Sequence, residues 1–151
     1  MDAIDKRILR LIQKDACLAI SEIGAQVGLS QTPCWKRLKQ LAASGVIKRR
    51  VALLDEKKLG LRTTVFVSIQ VGAHSSKDLA RFAAEVAAME EVMDFYRMAG
   101  DIDFLLRVVV ADTAAFDRFY QRLIELIPLK SVTSRFALEE IKSETAFPIR
   151  D

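Results

Sequence analysis

The chain has few of the residues from which metal sites and disulfide frameworks are built. It holds two cysteines, Cys17 and Cys34, and a single histidine, His74. Two cysteines make neither a disulfide framework nor a zinc site. A lone histidine without a Cys or carboxylate cluster is a surface residue far more often than a metal ligand or a catalytic base. We therefore expect no metal site.

Catalytic motifs are also missing. The sequence contains no Ser-His-Asp set, no phosphate-binding loop and no dinucleotide fingerprint. Adjacent glutamates occur at 90–91 and at 139–140. Neighbours on a strand point to opposite faces, so the second pair cannot easily share a substrate. We predict that the chain is not an enzyme and has no cofactor, although folds of this kind also host small oxidases and isomerases.

Long apolar runs and targeting signals are absent as well. The apolar run FLLRVVVA at 104–111 is short and is interrupted by Arg107, so it cannot span a membrane. The N-terminus is charged and begins an amphipathic helix, unlike a signal peptide. These features predict a cytoplasmic protein with no membrane partner.

Charge is distributed unevenly along the chain. Residues 1–60 hold twelve Lys and Arg against six Asp and Glu, a net charge of +6, whereas residues 61–151 hold eleven against fourteen, a net charge of −3. A basic head on a neutral-to-acidic partner domain is typical of nucleic-acid binding. We predict two domains, 1–60 and 61–151, joined near the segment DEKKLGL.

Residues 21–45 read as two short helices joined by a tight turn. Ser21 is expected to cap the first helix, Gly28 to end it and Ser30 to cap the second, which Gly45 terminates. Two helices joined by a short turn are the plan of a helix-turn-helix DNA reader. The sequence therefore indicates double-stranded DNA as the ligand.

The second of these helices has one apolar and one polar face. Cys34, Leu38 and Leu41 follow at i, i+4 and i+7, which predicts a buried stripe. Lysine on the opposite face can neutralise phosphate, and Thr and Gln can meet base edges. The alternative is an ordinary solvated helix. The polar face and its flanks comprise Thr32, Lys36, Lys39, Gln40, Ala43, Trp35 and Arg37.

Two further segments complete this first domain. A helix is predicted at about 3–14, with Asp2 as its cap. After Gly45, Val46 and Ile47 are expected to return to the core. The basic turn Lys48–Arg50 is either a wing that touches phosphates or the solubilising start of a strand.

The second half alternates strands and helices. Val65, Val67, Ile69 and Val71 occupy every other position, which places them on one strand face. Further strands are predicted at 92–98, 104–110 and 131–142. One helix is capped by Ser75 or Ser76. The other is capped by Asp112 and stopped by Pro128, and its inner stripe comprises Phe116, Phe119, Tyr120, Leu123 and Ile124.

The order β-α-β-β-α-β with short loops favours one antiparallel sheet with both helices on one face, the ferredoxin-like arrangement. Apolar residues on the other face need a cover. We therefore predict a homodimer whose sheets pack together. The fold class is α+β, with an N-terminal winged-type helix-turn-helix domain followed by a βαββαβ domain.

Five stretches of the chain resemble the Lrp/AsnC family of regulators over essentially the full length. They are AIDKRILRLIQKDA, GLSQTPCWKRLKQLAASGVI, the VALLD strand, AGDIDFLLRV and the late SRFALEEIK strand. The resemblance implies a helix-turn-helix, a connecting strand and a ligand-sensing domain. It also implies dimers that assemble into octamers, and a small amino-acid effector. The form TPCWKRLKQL is most similar to a proteobacterial branch that includes a cysteine-responsive regulator.

The resemblance and the residue chemistry together give candidate sites. For DNA binding these are Gln31, Thr32, Trp35, Lys36, Arg37, Lys39, Arg49 and Arg50. For the effector they are Met98, Ala99, Gly100, Asp101, Asp103, Thr133 and Ser134. Glycine allows close approach to the backbone, and a carboxylate can hold an α-ammonium group.

Two alternatives remain open. The Gly100–Asp103 segment could simply be a turn whose aspartates bond to their own backbone. The whole protein could also be a ligand-independent architectural DNA-binding protein of the nucleoid type, which would bind DNA broadly.

Overall fold

The computed structural model describes residues 1–150, which form two compact units. The first comprises Met1–Leu53 and the C-terminal segment from Ile141, and the second is Leu54–Glu140. The predicted division assigned every residue after 60 to the second domain, so the packing of the C-terminal segment departs from it. No helix in residues 1–150 is long and apolar enough to cross a membrane.

The first unit contains three helices. They are α1 (Ala3–Ile12), α2 (Ile20–Val27) and α3 (Gln31–Ala43). Their apolar stripes close one core, which comprises Ile8, Leu9, Ile23, Val27, Cys34, Leu38 and Leu41. The predicted stripe of α3 is therefore confirmed. Burial raises the pKa of the Cys34 thiol, which keeps it a neutral core group.

Hydrogen bonds between backbone N–H groups and carboxylates mark where two of these helices begin. Asp2 and Asp5 accept each other's backbone N–H at 2.9 Å, so the predicted cap of α1 is confirmed. The predicted cap of α2 at Ser21 is wrong, since the helix begins at Ile20. The Ala19 N–H donates to Glu22 Oε2 at 2.8 Å, so the first turn of α2 begins two residues before the predicted cap. At the far end, Gly28 has a φ of +77° and stops the helix.

The second unit has the predicted order. Its elements are β1 (Thr63–Val71), α4 (Ser76–Ala87), β2 (Val92–Arg97), β3 (Phe104–Val110), α5 (Thr113–Leu126) and β4 (Leu129–Phe136). The strands lie in the order β2-β3-β1-β4, and every neighbouring pair is antiparallel. The ferredoxin-like arrangement is therefore confirmed, as are the caps at Ser75 and Asp112.

Both helices of this unit pack on one face of the sheet. Val65, Val67 and Ile69 are fully buried on that face, as the alternation predicted, and they join Phe82 and Phe119 in the core. The other face carries Phe66 and Tyr96, with 40% and 56% of their surfaces exposed. The two faces of the sheet thus differ sharply in burial.

Several predicted boundaries and core positions are wrong. β4 spans Leu129–Phe136 rather than 131–142, and β2 ends at Arg97. Residues 51–55 form no strand, and no strand within residues 1–150 pairs with them. Val46 is 48% exposed, and Ile47 alone of that pair packs on the core. Ile124 is 37% exposed, because it lies at the edge of the stripe formed by Phe116, Phe119 and Leu123.

Candidate nucleic-acid interface and ligand site

The polar face of α3 is exposed along its length. Because Cys34, Leu38 and Leu41 point into the core, the residues between them point outward. The exposed residues include Gln31, Thr32, Trp35, Lys36 and Lys39. This face brings amide, hydroxyl, indole and ammonium groups together on one surface. Such a set can hold phosphates and read base edges at once.

The turn before α3 depends on a glycine that the sequence analysis missed. A Cβ built on Gly24 would lie 2.6 Å from the Leu29 carbonyl oxygen and 3.6 Å from Cys34 Cβ. The Leu29 N–H also donates to the Gly24 carbonyl oxygen at 2.8 Å. Only glycine lets α2 approach the turn this closely. Its position mid-helix, where glycine is unfavourable, was the available signal.

Arg37 has partners that the sequence analysis did not foresee. Its Nη1 lies 2.6 Å from Asp2 Oδ2 and 2.7 Å from Asp5 Oδ1, which joins α3 to the start of α1. Hydrogen bonds to Asp5 and Asp2 raise the pKa of the Arg37 guanidinium. A phosphate role for Arg37 stays a prediction, and phosphate would compete with these two carboxylates.

The remaining predicted DNA contacts follow α3. Arg49 and Arg50 are exposed and lie outside any helix or strand. Neither forms an ion pair with another residue in 1–150. They are therefore available to phosphate.

An open depression of about 330 Å³ lies near the start of α3. It is lined by Ile20, Gln31, Thr32 and Trp35.

The predicted effector turn connects β2 to β3. Met98, Ala99, Gly100 and Asp101 are exposed, and Gly100 has a φ of +132°, a conformation that favours glycine. Asp103 has a different setting. Its Oδ2 accepts the Val71 N–H at 2.8 Å, and its own N–H donates to the Ile69 carbonyl oxygen at 2.9 Å. Asp103 thus ties the turn to β1, while the Asp101 carboxylate is left at the surface.

The hydroxyls predicted for this site do not share one face of β4. Thr133 pairs with Ser68 and Ser134 with Val67 in the strand register, so their side chains point to opposite sides of the sheet. Only Thr133 lies on the face away from the helices. Placing both hydroxyls at one ligand would require a departure from this register.

Gln70 reaches the turn instead, and Ser131 bonds to Gln70. Gln70 Nε2 donates to the Asp101 carbonyl oxygen, and Ser131 Oγ donates to Gln70 Oε1 at 3.0 Å. The alternation that places Val65, Val67 and Ile69 on one face of β1 places Gln70 on the other face. It could not show that Ser131 faces Gln70, because that depends on the register of two distant strands.

An open depression of the second unit lies at the opposite end of the sheet from this turn. It holds about 690 Å³, and its lining includes Leu61, Glu91, Val110, Arg118 and Arg122. Glu91 and Arg122 form an ion pair there. This depression does not include the predicted effector turn, whose support is the chemistry of its residues.

Metal binding has no support in the described part of the chain. Within residues 1–150, no group of three or more His, Cys, Asp and Glu side chains could hold a metal ion. His74 instead contacts the Pro128 carbonyl oxygen through Nε2 at 2.8 Å. This bond joins the loop before α4 to the loop after α5.

Comparison with known proteins matches each unit to a known type of domain. Residues 1–48 match a winged helix-turn-helix DNA-binding domain, and residues 64–147 match the Lrp/AsnC ligand binding domain. A DNA-binding head followed by a ligand-binding domain defines the class of ligand-binding transcription regulators. The family model and the relatives below agree on that class, and they are not enzymes.

The chain belongs to the Lrp/AsnC family. It is 47% identical over 150 residues to the DNA-binding transcriptional activator DecR of Escherichia coli K12, covering 99% of both chains. An AsnC family regulator from Agrobacterium tumefaciens has a solved structure with a TM-score of 0.95 and 51% identity, covering 98% of this chain and 97% of that one. A Neisseria meningitidis regulator solved with L-Met has a TM-score of 0.93 and 31% identity, covering 98% and 96%.

Proposed function

We propose that this protein binds specific DNA sites through α3 as a homo-oligomer, and that a small amino acid changes its affinity for them. The observation that carries the DNA assignment is the exposed face of α3, which joins Gln31, Thr32, Lys36 and Lys39 in a region with a net charge of +6. Recognition helices use their first residues for base edges and their basic residues for phosphate.

Salt dependence tests the DNA face directly. Lys36→Ala removes one phosphate contact, so we expect weaker binding on every duplex and a log K against log salt slope smaller by about 0.9. Fluorescence anisotropy over a salt series measures both. Lys77→Ala, an exposed lysine in α4, is the matched control and should leave the slope unchanged. An unchanged slope for Lys36→Ala would show that another face meets the DNA.

The effector assignment rests on the turn chemistry and on one relative. Exposed backbone at Ala99–Gly100 can hold an α-carboxylate, and the exposed Asp101 carboxylate can hold an α-ammonium group. The Neisseria relative was solved with L-Met. We therefore propose a small amino acid here, with cysteine and methionine as the first compounds to test.

A thermal-shift screen against the twenty amino acids, each at millimolar concentration, tests this proposal. A ligand that binds the native state raises the melting temperature by mass action. Asp101→Ala should abolish the shift and leave DNA binding intact. Glu125→Ala, which removes an exposed carboxylate on α5, is the matched control and should keep the shift. A shift that survives in Asp101→Ala would place the effector elsewhere, and the depression beside Arg118 would then be tested first.

Self-association is part of the proposal. Phe66 and Tyr96 are exposed on the sheet face opposite the helices, and Val51, Leu53 and Leu54 are exposed in a segment without a strand partner. Exposed apolar surface of this kind favours association. We propose a dimer whose sheets pack together and that assembles further to an octamer. Light scattering after size exclusion gives the mass, and a monomer at micromolar concentration would contradict the proposal.

A ligand-independent architectural protein is the second candidate. It would bind DNA broadly and respond to no amino acid. Footprints confined to a few sites, together with a thermal shift from one amino acid, argue against it. Uniform protection of DNA with no thermal shift would establish it in place of the proposed regulator.

A further inference from the structure

We propose that Trp35 and Ile20 form a receptor for the 5-methyl group of a thymine, so that each DNA-binding head reads a T·A pair at one fixed position. The proposal rests on the DNA-binding function proposed above. It goes beyond that function by assigning a base and a reading mechanism to two apolar side chains.

An apolar depression in a basic, polar surface is the first observation. Trp35 is 48% exposed, although Thr32, Lys36 and Lys39 beside it on the outer face of α3 are polar or charged. Ile20, at the first position of α2, is half-buried and forms the other wall. The depression holds about 330 Å³, and Gln31 and Thr32 also line it. It therefore combines apolar walls with hydrogen-bonding groups beside them.

Position is the second observation. In a helix-turn-helix, the first residues of the second helix meet base edges while the first helix crosses the DNA backbone. Gln31 begins α3, Trp35 follows one turn later, and Ile20 begins α2. The depression thus lies between the starts of the two helices that approach the groove. Docking of this kind would therefore bring the depression to the DNA.

Chemical complementarity selects the occupant. Thymine is the base that presents a methyl group in the major groove, and apolar side chains recognise it by contact. Trp35 and Ile20 present mostly carbon to the depression, so these two walls suit a methyl group better than a charged phosphate. Gln31 can form two hydrogen bonds with N6 and N7 of an adenine next to the thymine. Lys36 and Lys39, farther along α3, would hold the phosphates of the same groove.

The test changes the DNA and leaves the protein intact. The full-length protein first enriches a duplex from a random library, and each thymine of that duplex is then replaced by deoxyuridine, which lacks only the methyl group. We expect one position in each half-site to respond, with a loss in affinity of about fourfold for one methyl group and about fifteenfold for both half-sites.

Two variants identify the side chain responsible. Trp35→Ala should bind the thymine and deoxyuridine duplexes equally, because the wall that contacts the methyl group is gone. Lys36→Ala is the matched control from the next residue of the same helix. It should weaken binding to both duplexes and preserve their ratio, because a phosphate contact is independent of the base.

The outcomes separate this proposal from the one on which it rests. Failure to enrich any duplex would overturn DNA binding itself and the methyl contact with it. Tight binding with no response at any thymine, or discrimination that persists in Trp35→Ala, would overturn the methyl contact alone. If Trp35→Ala does not fold, Ile20→Ala replaces it, because Ile20 forms the other wall and its truncation should also reduce the discrimination between thymine and deoxyuridine.

Discussion

The first unit, which holds α1 to α3 and is called the helical unit below, differs from the second, the sheet unit, in how its elements are held together. Among the described residues, the buried core of the helical unit has seven side chains and that of the sheet unit has thirteen. The helical unit adds polar links across its elements. Arg37 pairs with Asp2 and Asp5, and Arg7 donates to the Gln26 carbonyl oxygen at 2.7 Å. A small core has less hydrophobic stabilisation to offer, so each such link matters more.

The sheet unit places its ion pairs outside its core. Arg107 and Asp94 pair across β3 and β2 on the face away from the helices, and Arg122 pairs with Glu91 at the edge. Partly exposed pairs of this kind contribute little to stability. Truncation of a buried apolar side chain should therefore destabilise the sheet unit most. The stability of the helical unit should depend more on single backbone and polar contacts.

The largest effect is expected in the sheet core. Phe119→Ala empties a fully buried site on α5 and should lower the free energy of unfolding by about 3–5 kcal/mol. Ile124→Ala is the matched control on the same helix, where the side chain is 37% exposed. Urea denaturation measures both. Equal losses for the two variants would contradict the assigned inner face of α5.

Gly24→Ala should have the next largest effect. Its Cβ would meet the Leu29 carbonyl oxygen at 2.6 Å, and backbone must move to relieve that contact. We expect a loss of about 1–3 kcal/mol, as for overpacked sites, and weaker DNA binding because α2 and α3 change their angle.

Gly72→Ala is the control for this substitution. A Cβ at Gly72 would meet no heavy atom within 4 Å, so the variant should be as stable as the parent protein. Thermal melts and anisotropy binding on the same two variants give the comparison. A fully stable Gly24→Ala would show that the turn tolerates a wider separation than the structure has.

Acid should weaken the Arg37 link. The backbone N–H of Asp5 and the Arg37 guanidinium hold the pKa of the Asp2 carboxyl below its ordinary value of 3.8. A lowered folded-state pKa stabilises the fold fully above the unfolded value, and this stabilisation is lost as pH falls through the folded pKa. We expect melting temperatures to fall as pH drops below about 4.

Arg37→Gln tests whether Arg37 contributes to this acid sensitivity. The variant should melt at a lower temperature at neutral pH. Its melting temperature should fall less between pH 5 and 3, because the acid-sensitive interaction of Arg37 with Asp2 is gone. Melts at pH 7, 5, 4 and 3 measure this. Identical pH profiles for the variant and the parent would show that Arg37 contributes nothing to the Asp2 titration.

The smallest effect is expected at the C-terminal segment. Gln13 donates to the Phe147 carbonyl oxygen and accepts the Phe147 N–H, both at 2.9 Å, and Ile149 packs on the helical core. Gln13→Ala removes two exposed bonds, so we expect at most about 1 kcal/mol of global destabilisation. Amide exchange should nevertheless speed up in residues 141–150. Gln26→Ala, on α2, should leave that exchange unchanged.

Local patterns predicted much of this molecule. The bounds of β3 at 104–110 and the cap at Asp112 follow from apolar runs and capping chemistry. The α3 stripe follows from spacing alone. Those patterns also placed Lys36 and Lys39 on the surface of that helix. Each of these features depends on residues within a turn or two of each other.

Other features depend on partners that are distant in sequence. The absence of a strand at 51–55, the pairing of Ser131 with Gln70 and the close approach at Gly24 all needed coordinates. The same holds for the packing of Ile149 on the helical unit. No local periodicity records which strand register or which helix approach the chain adopts.

The two kinds of unit, the βαββαβ order and the exposed basic face of α3 can therefore be predicted from local sequence, because periodicity and capping act over a few residues. Other features arise only when separate elements pack together. The tertiary structure committed Arg37 to Asp2 and Asp5, turned Ser134 away from Thr133, and brought Ile20 beside Trp35. These outcomes depend on how separate helices and strands pack, and packing is set by the shapes of all the surfaces that meet.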